Sequence, residues 1–276
     1  ETGKNVSTWA VGDHVAVANV IPCHTCHSCL SGRENACLQR KAIGYEFNGG
    51  FAEYVRIPAI AIGNLVKLPE DISFGEGALI EPLACCIRGS KNAGIKLNDV
   101  VLIVGAGPIG LMHLQLAKLS GAQTVIVSEP IASRREKAKV LGADIIVNPL
   151  EEDLPEIVMR ETKGIGADVI IMAIGVPPLV NGILKLCCKG GTVNLFAGFA
   201  GTGEASIEVN TIHYNEINVN GSTAYQRIDY LEAAQMVIDK KIRLEEIITH
   251  RYPIDEFQQA YEVCKSGEGL KVVIEG

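Results

Sequence analysis

The chain has 276 residues, enough for one large domain or two ordinary ones with a sizeable core. Its 47% apolar and 21% charged content excludes an intrinsically disordered chain. The net charge of -7, with no Lys/Arg-rich run, argues against nucleic acid and anionic membrane as partners. No apolar run approaches the ~18 residues that span a bilayer. The opening ETGKNVSTWAVGDHV has neither the basic nor the apolar region of a signal peptide, so a cytoplasmic location is expected. Nine cysteines, an odd number with four crowded into a short span, point to a metal site rather than a disulfide framework.

In chain order, VGDHVAVANVIP, GGFAEYVRIP and NLVKLPEDI predict short strands of a β-rich region. FGEGALIEPLACCIRGSKNAGI predicts helix from about Gly75, broken at Pro82. The texture then changes. VVLIV, TVIVS, DIIV, DVIIMAI, TVNLF and INVNG are short apolar runs of the kind buried in a parallel sheet. PIGLMHLQLAKLSG, ASRREKAKVLGA, LPEIVMRETKG and PLVNGILKLCCKGG lie between them and read as helices, several ending in Gly. This alternation predicts an α/β, doubly wound parallel sheet. The tail breaks the pattern with helices over Tyr230 to Lys241 and Ile254 to Lys265 and a last strand LKVVIE. The expected organisation is residues 1–82 as a partial β-rich domain, 83–222 as a dinucleotide-binding domain, and 223–276 returning to the first.

VVLIV runs directly into GAGPIG, which opens a helix. Gly105 permits the tight turn, Gly107 lets backbone approach a pyrophosphate, and Gly110 lets helix and strand pack closely, with Pro108 and Ile109 between them. The helix N-terminus offers free N–H groups and a positive dipole end to phosphate. Glu129, 19 residues after Gly110 at the end of the next strand, is placed to accept hydrogen bonds from the ribose hydroxyls. It would repel a 2′-phosphate, which favours NAD over NADP. Arg134 and Arg135 pull the other way, because Arg accommodates that phosphate.

Cys23, Cys26, Cys29 and Cys37 form C-x2-C-x2-C-x7-C. Four thiolates suit a closed, structural tetrahedral zinc site. The competing reading, an iron–sulfur cluster, uses a tighter last gap followed by Pro. His24 and His27 lie inside the loop and are expected to be bystanders. The paired Cys85 and Cys86, and Cys187 and Cys188, are expected in two helices as core residues.

GDHVAV, the four-cysteine lobe, GGFAEYV, LPEDISFGEGALIEPLAC, VLIVGAGPIG and ITHRYPIDEFQQAYE together resemble the zinc-containing medium-chain dehydrogenases. Within that family the EPLAC form is similar to the sorbitol/iditol (polyol) and threonine dehydrogenase branch. The resemblance implies a GroES-like catalytic domain split around a Rossmann domain. It implies NAD-dependent hydride abstraction from a secondary alcohol, with a catalytic zinc as Lewis acid. Glu81 matches the family's acid at or beside that zinc, whereas its position alone reads as a helix-start acid facing the dipole. Tyr45 and Phe47 are expected to line the substrate pocket. Tyr225 sits where polyol dehydrogenases place a substrate-facing aromatic, and Phe196 and Gly198 would flank the nicotinamide. A homodimer or homotetramer, seamed near INVNG, follows by analogy.

The same resemblance implies a Cys and a His-Glu pair upstream of the position of Glu1, and neither appears in this sequence. Its histidines are His14, His24, His27, His113, His213 and His250. The chain is therefore expected to begin inside the catalytic domain, to bind NAD and one structural zinc, and to turn over poorly, because Glu81 alone cannot hold a catalytic zinc. A non-catalytic NAD-binding module is the competing reading from another class.

Overall fold

The computed structural model describes residues 1–199 and 201–276, and the chain divides into two compact units. The first comprises Glu1–Ala84 and Tyr225–Gly276, the second Cys85–Ala224.

The first unit opens with β1 (Val15–Val17) and β2 (Val20–Ile21), then α1 (His27–Leu30) inside the cysteine loop, β3 (Lys41–Ala42), β4 (Leu65–Lys67) and α2 (Phe74–Ala78). β1 pairs antiparallel with β4, and β2 with β3. Ile21, Ile43 and Ala61 form a small core beneath these ribbons, with Val17, Phe47 and Ile57 packed on it. The strand expected at GGFAEYVRIP is absent. Residues 49–58 join no sheet among the described residues, and Phe51 and Tyr54 are exposed. A strand's N–H and C=O groups need a partner ladder, and this segment has none.

Helix α2 begins with a full capping box. Ser73 Oγ accepts from Glu76 N (3.1 Å), and Glu76 Oε2 accepts from Ser73 N (3.2 Å). It ends at Leu79, and α3 (Ile80–Ala93) follows at once, so the break lies at Leu79 and not at the expected Pro82. Pro82 sits in the first turn of α3, where a helix has no use for the missing N–H.

The second unit contains β5 (Val100–Val104), α4 (Pro108–Leu119), β6 (Thr124–Ser128), α5 (Ala132–Val140), β7 (Ile145–Val147), α6 (Leu154–Glu161), β8 (Ala167–Met172), α7 (Val180–Leu184), β9 (Cys187–Leu195), α8 (Val209–Asn215) and β10 (Asn218–Gly221). The strands form one six-stranded parallel sheet in the order β10-β9-β8-β5-β6-β7. The order reverses between β5 and β8, and ligands of doubly wound sheets bind beyond the carboxyl ends of the strands at such a point. Leu102, Ile126, Ile170, Met172 and Val193 fill the core on one face of the sheet. Each contributes roughly 1.5–3 kcal/mol by leaving water.

One expected helix ends early, and its last part is strand. Cys187 and Cys188 open β9, because α7 ends at Leu184. The register between β8 and β9 jumps from Ala167↔Cys187 to Val169↔Thr192, so the chain bulges across 188–191. Gly191 is needed there, since a Cβ would come 2.6 Å from Cys187 Sγ. Burial pushes the Cys187 thiol up to about 12, which leaves it an inert core residue.

The chain re-enters the first unit with α9 (Arg227–Ile238), β11 (Ile248–Pro253), α10 (Phe257–Ser266) and β12 (Lys271–Glu275). β11 and β12 pair in parallel. Helix α2 packs against this pair so closely that a Cβ on Gly75 would lie 2.6 Å from the Arg251 guanidinium.

Candidate functional site

The first candidate lies at the carboxyl end of β5. Gly105 has φ +100°, a conformation that favours glycine, and turns the chain sharply out of the strand. Its N–H donates to Ser128 O (2.8 Å), which ties the turn to β6. Gly107 is the N-cap of α4 and Pro108 its first residue. No side chain caps this helix, so its first N–H groups are left for a ligand. The three glycines have different surroundings. A Cβ on Gly110 would sit 1.9 Å from Gly105 O, and one on Gly105 would lie 2.4 Å from Ile174. A Cβ on Gly107 would meet no atom of the described residues within 4 Å beyond its chain neighbours. Two glycines are thus demanded by packing, and the third faces open space. That is the arrangement a backbone cradle for a pyrophosphate needs.

Glu129 follows β6 and is almost wholly buried. Its Oε2 accepts from Ala106 N (2.7 Å) and its Oε1 from Ile131 N (2.9 Å). The carboxylate therefore braces the glycine turn and retains two lone-pair directions for further donors. Arg135 donates to Glu129 O (3.0 Å) and Pro130 O (2.6 Å), and half-buried Arg134 lies in the first turn of α5. Sequence reasoning missed Gly175, where a Cβ would lie 2.0 Å from Gly198 O, so the segments after β8 and β9 meet backbone to backbone. The signal was available, since a glycine just past a buried strand marks a close approach.

Behind the turn, His113 on α4 is fully buried and packs edge-on against Phe196, ring centroids 4.5 Å apart. Gly89 on α3 completes the contact, since a Cβ there would lie 2.6 Å from the Phe196 ring. His113 Nδ1 pairs with Ser90 Oγ (3.2 Å), and Nε2 has no partner among the described residues. Burial drives its pKa down to about 3, so the ring is neutral.

The second candidate is the cysteine loop. The four sulfurs of Cys23, Cys26, Cys29 and Cys37 lie within 4.8 Å of one another. The Cys23–Cys29, Cys26–Cys29 and Cys26–Cys37 separations are 4.0, 3.6 and 3.9 Å. Four sulfurs ~2.3 Å from one zinc ion would be about 3.8 Å apart, so the set fits that ion. All four are free thiols. Backbone N–H groups point at the sulfurs: Cys23 to Cys37 (3.3 Å), Cys26 to Cys23 (3.3 Å) and Gln39 to Cys37 (3.4 Å). Thr25, overlooked in the sequence, donates both its N–H (3.5 Å) and its hydroxyl (3.6 Å) to Cys23. The Thr25 N–H leads the contacts that lower the Cys23 thiol to about 6. Cys29 is pushed up to about 12, first by burial and then by Cys26 and Cys37. Four crowded sulfurs resist ionising together, and a divalent cation among them removes that conflict. His24 and His27 are exposed and belong to no ligand group.

The remaining predicted residues lie on several different elements. Glu81 occupies the first turn of α3, and its charge adds to the burial that raises the Tyr230 hydroxyl. Among the described residues no group of three ligands forms around Glu81, so these residues do not by themselves fit a zinc with an open position. Tyr45 is exposed, while Phe47 packs on the small core of the first unit. The Tyr225 hydroxyl donates to Asn19 Oδ1 (2.7 Å) and accepts from Val20 N (3.3 Å).

Known proteins match this architecture. Residues 108–239 match the zinc-binding dehydrogenase family, and residues 1–70 match the alcohol dehydrogenase GroES-like domain. The chain is 37% identical to L-threonine 3-dehydrogenase of Thermococcus kodakarensis, covering 99% of this chain and 77% of that protein. It is 35% identical to sorbitol dehydrogenase of Halalkalibacterium halodurans, covering 99% and 79%. Among solved structures, a zinc-binding dehydrogenase from Sinorhizobium meliloti 1021 bound to NADP superimposes with a TM-score of 0.91 at 34% identity, covering 100% of this chain and 80% of that one. With a glycine cradle for NAD(P) and a four-cysteine loop for a structural zinc, the chain belongs to the zinc-containing medium-chain alcohol dehydrogenase family.

Proposed function

We propose that the protein oxidises a secondary alcohol of a small polyol, of the sorbitol or iditol kind, and passes the hydride to NAD. The carbinol C–H bond breaks, its electron pair leaves as hydride for the nicotinamide, and the hydroxyl proton goes to solvent. Bound NAD supplies the hydride acceptor. The open space above Gly107, between two glycines that packing demands, carries this reading. The Gly107–Gly110 turn and the uncapped start of α4 receive the pyrophosphate, and Glu129 receives the adenosine ribose. Phe196, held by His113 and Gly89, offers an apolar wall for the nicotinamide.

NAD is favoured over NADP because a 2′-phosphate would meet the Glu129 carboxylate, while Arg135 is committed to backbone carbonyls. L-Threonine is the second reading. Its 3-hydroxyl is also a secondary alcohol, and the Thermococcus relative is named for it. Self-association along β10, an edge strand with one neighbour, and a reducing location that suits nine free thiols complete the reading. No helix of the described residues is long and apolar enough to cross a membrane.

The test is NADH and NADPH formation from sorbitol, xylitol and L-threonine by the zinc-loaded protein and its Glu129→Ala variant. A polyol with NAD should be fastest, and the variant should lose NAD preference by roughly tenfold, the worth of one good charged hydrogen bond. Preference for L-threonine would move the assignment to the second reading. NAD binding without any turnover would leave a non-catalytic NAD-binding module.

A further inference from the structure

Where the chain returns to the first unit it is fastened to the cysteine loop. Gln226 Nε2 donates to Gly32 O (2.5 Å) and to Asn35 Oδ1 (3.5 Å). Arg227 N donates to Glu34 Oε1 (2.5 Å), and the Arg227 guanidinium donates to Gly63 O (2.7 Å). With the Tyr225 pair to Asn19 and Val20, three successive residues each hold a partner about 160 to 210 positions away in sequence. Gly32, Glu34 and Asn35 all lie in the gap between Cys29 and Cys37. That gap is shaped from both ends by the sulfur cluster. Gly32 N donates to Cys29 O and Cys37 N to Glu34 O, both 3.0 Å, while Cys23 N donates to Cys37 Sγ (3.3 Å). Anything that moves Cys29 or Cys37 therefore moves the acceptors of Gln226 Nε2 and of the Arg227 N–H.

We infer that the zinc loop is an anchor for the return segment Tyr225–Arg227, so that zinc affinity and the order of this segment are thermodynamically linked. The inference rests on the four-cysteine group holding zinc, and not on which alcohol is oxidised. The anchor stands where it is needed. The residue before it, Ala224, has φ +52°, a left-handed conformation that a non-glycine residue keeps only when its surroundings impose it. Ion, loop and segment then form a chain of direct contacts with no gap to be bridged by an unseen element. Linkage requires the effect to run both ways: whatever zinc contributes to ordering the segment, the segment returns to zinc affinity.

The test measures zinc affinity by competition with a chelator, and amide hydrogen exchange in the zinc-loaded full chain. The variants are Gln226→Ala/Glu34→Ala together, Glu34→Ala alone, and Lys240→Ala as a control. Lys240 pairs with Asp71 (2.5 Å), away from the loop. The first two remove exposed or half-exposed polar groups and leave every cysteine in place. The expected result is a zinc affinity lower by between about 5- and 150-fold in the double variant, the usual range of such couplings, with faster exchange at residues 28–37 as well as 225–230. Glu34→Ala should fall between that and wild type, and Lys240→Ala should match wild type. Faster exchange confined to 225–230, with wild-type zinc affinity, would overturn the anchor and leave only a local contact. Zinc at less than one ion per wild-type chain would instead remove the metal assignment on which the inference stands.

Discussion

The cysteine loop and the glycine turn both receive charged partners, and they are built in opposite ways. The loop is made of side chains. Its sulfurs conflict until a cation joins them, so its shape and its ligand are one thing. The turn is made of missing side chains. Its shape is imposed by Gly110 against Gly105 O and by Gly105 against Ile174, inside a sheet that is complete without any ligand. The lesson is that the first site should be lost by removing its ion, and the second only by adding an atom.

Removing the ion should have the largest effect. Chelation, or Cys37→Ser, takes away a ligand that stabilises the fold by about 4 kcal/mol once zinc exceeds its dissociation constant a thousandfold. The first unit should then melt at distinctly lower temperature, while NADH binding followed by fluorescence persists. Loss of NADH binding in the same step would break the comparison. Adding an atom comes next. Gly110→Ala places a methyl group where 1.9 Å is available, so helix α4 must leave β5 at a cost of about 3 kcal/mol. NAD binding should vanish while one zinc per chain is kept. A variant that binds NAD normally would show that the close approach is not required.

A third effect separates the two regions by pH. His113 is neutral in the folded second unit, with its pKa held near 3 by burial, against an ordinary value of 6.5. A depressed His pKa means that the unfolded chain takes up the proton first. The stability is therefore whole above pH 6.5 and is lost as pH falls towards 3, by about 2 kcal/mol on reaching pH 5. His113→Leu should flatten this slope. If wild type and variant lose stability in parallel between pH 7 and pH 5, His113 is not the proton acceptor.

What the sequence disclosed follows the same division. The six strands were legible because a strand buried on both faces is a continuous apolar run such as VVLIV or DVIIM, and their order follows the doubly wound pattern. Both sites were legible because their chemistry is local: all four sulfurs fall within fifteen residues, and all three glycines within six. What was not legible depends on distant partners. Cys187 and Cys188 look helical until Ala167 claims Cys187 across the sheet. The hydroxyl of Tyr225 finds Asn19 from 206 residues away, which no local pattern announces. The stretch 49–58 alternates like a strand but pairs with none among the described residues.

The smallest effect belongs to a residue in neither site. The second unit ends at Ala224 and the first resumes at Tyr225. At φ +52°, Ala224 carries a strain that for an L-residue is about 1–2 kcal/mol. Glycine adopts that conformation freely but gives back about 0.4–1 kcal/mol through a more disordered unfolded chain. Ala224→Gly should thus stabilise the protein slightly, by about 0.5 kcal/mol, or ~1–2 °C in melting temperature for a protein of this size. Because the substitution touches no group of the glycine turn, NAD affinity should be unchanged, while zinc affinity should follow the linked return segment and shift by no more than about twofold. A fall in melting temperature would mean that the Ala224 methyl group is held by packing and not tolerated as strain. A change in NAD affinity would show that the strain at Ala224 also reaches the glycine turn, and the contrast between the two sites would then have to include the chain that joins them.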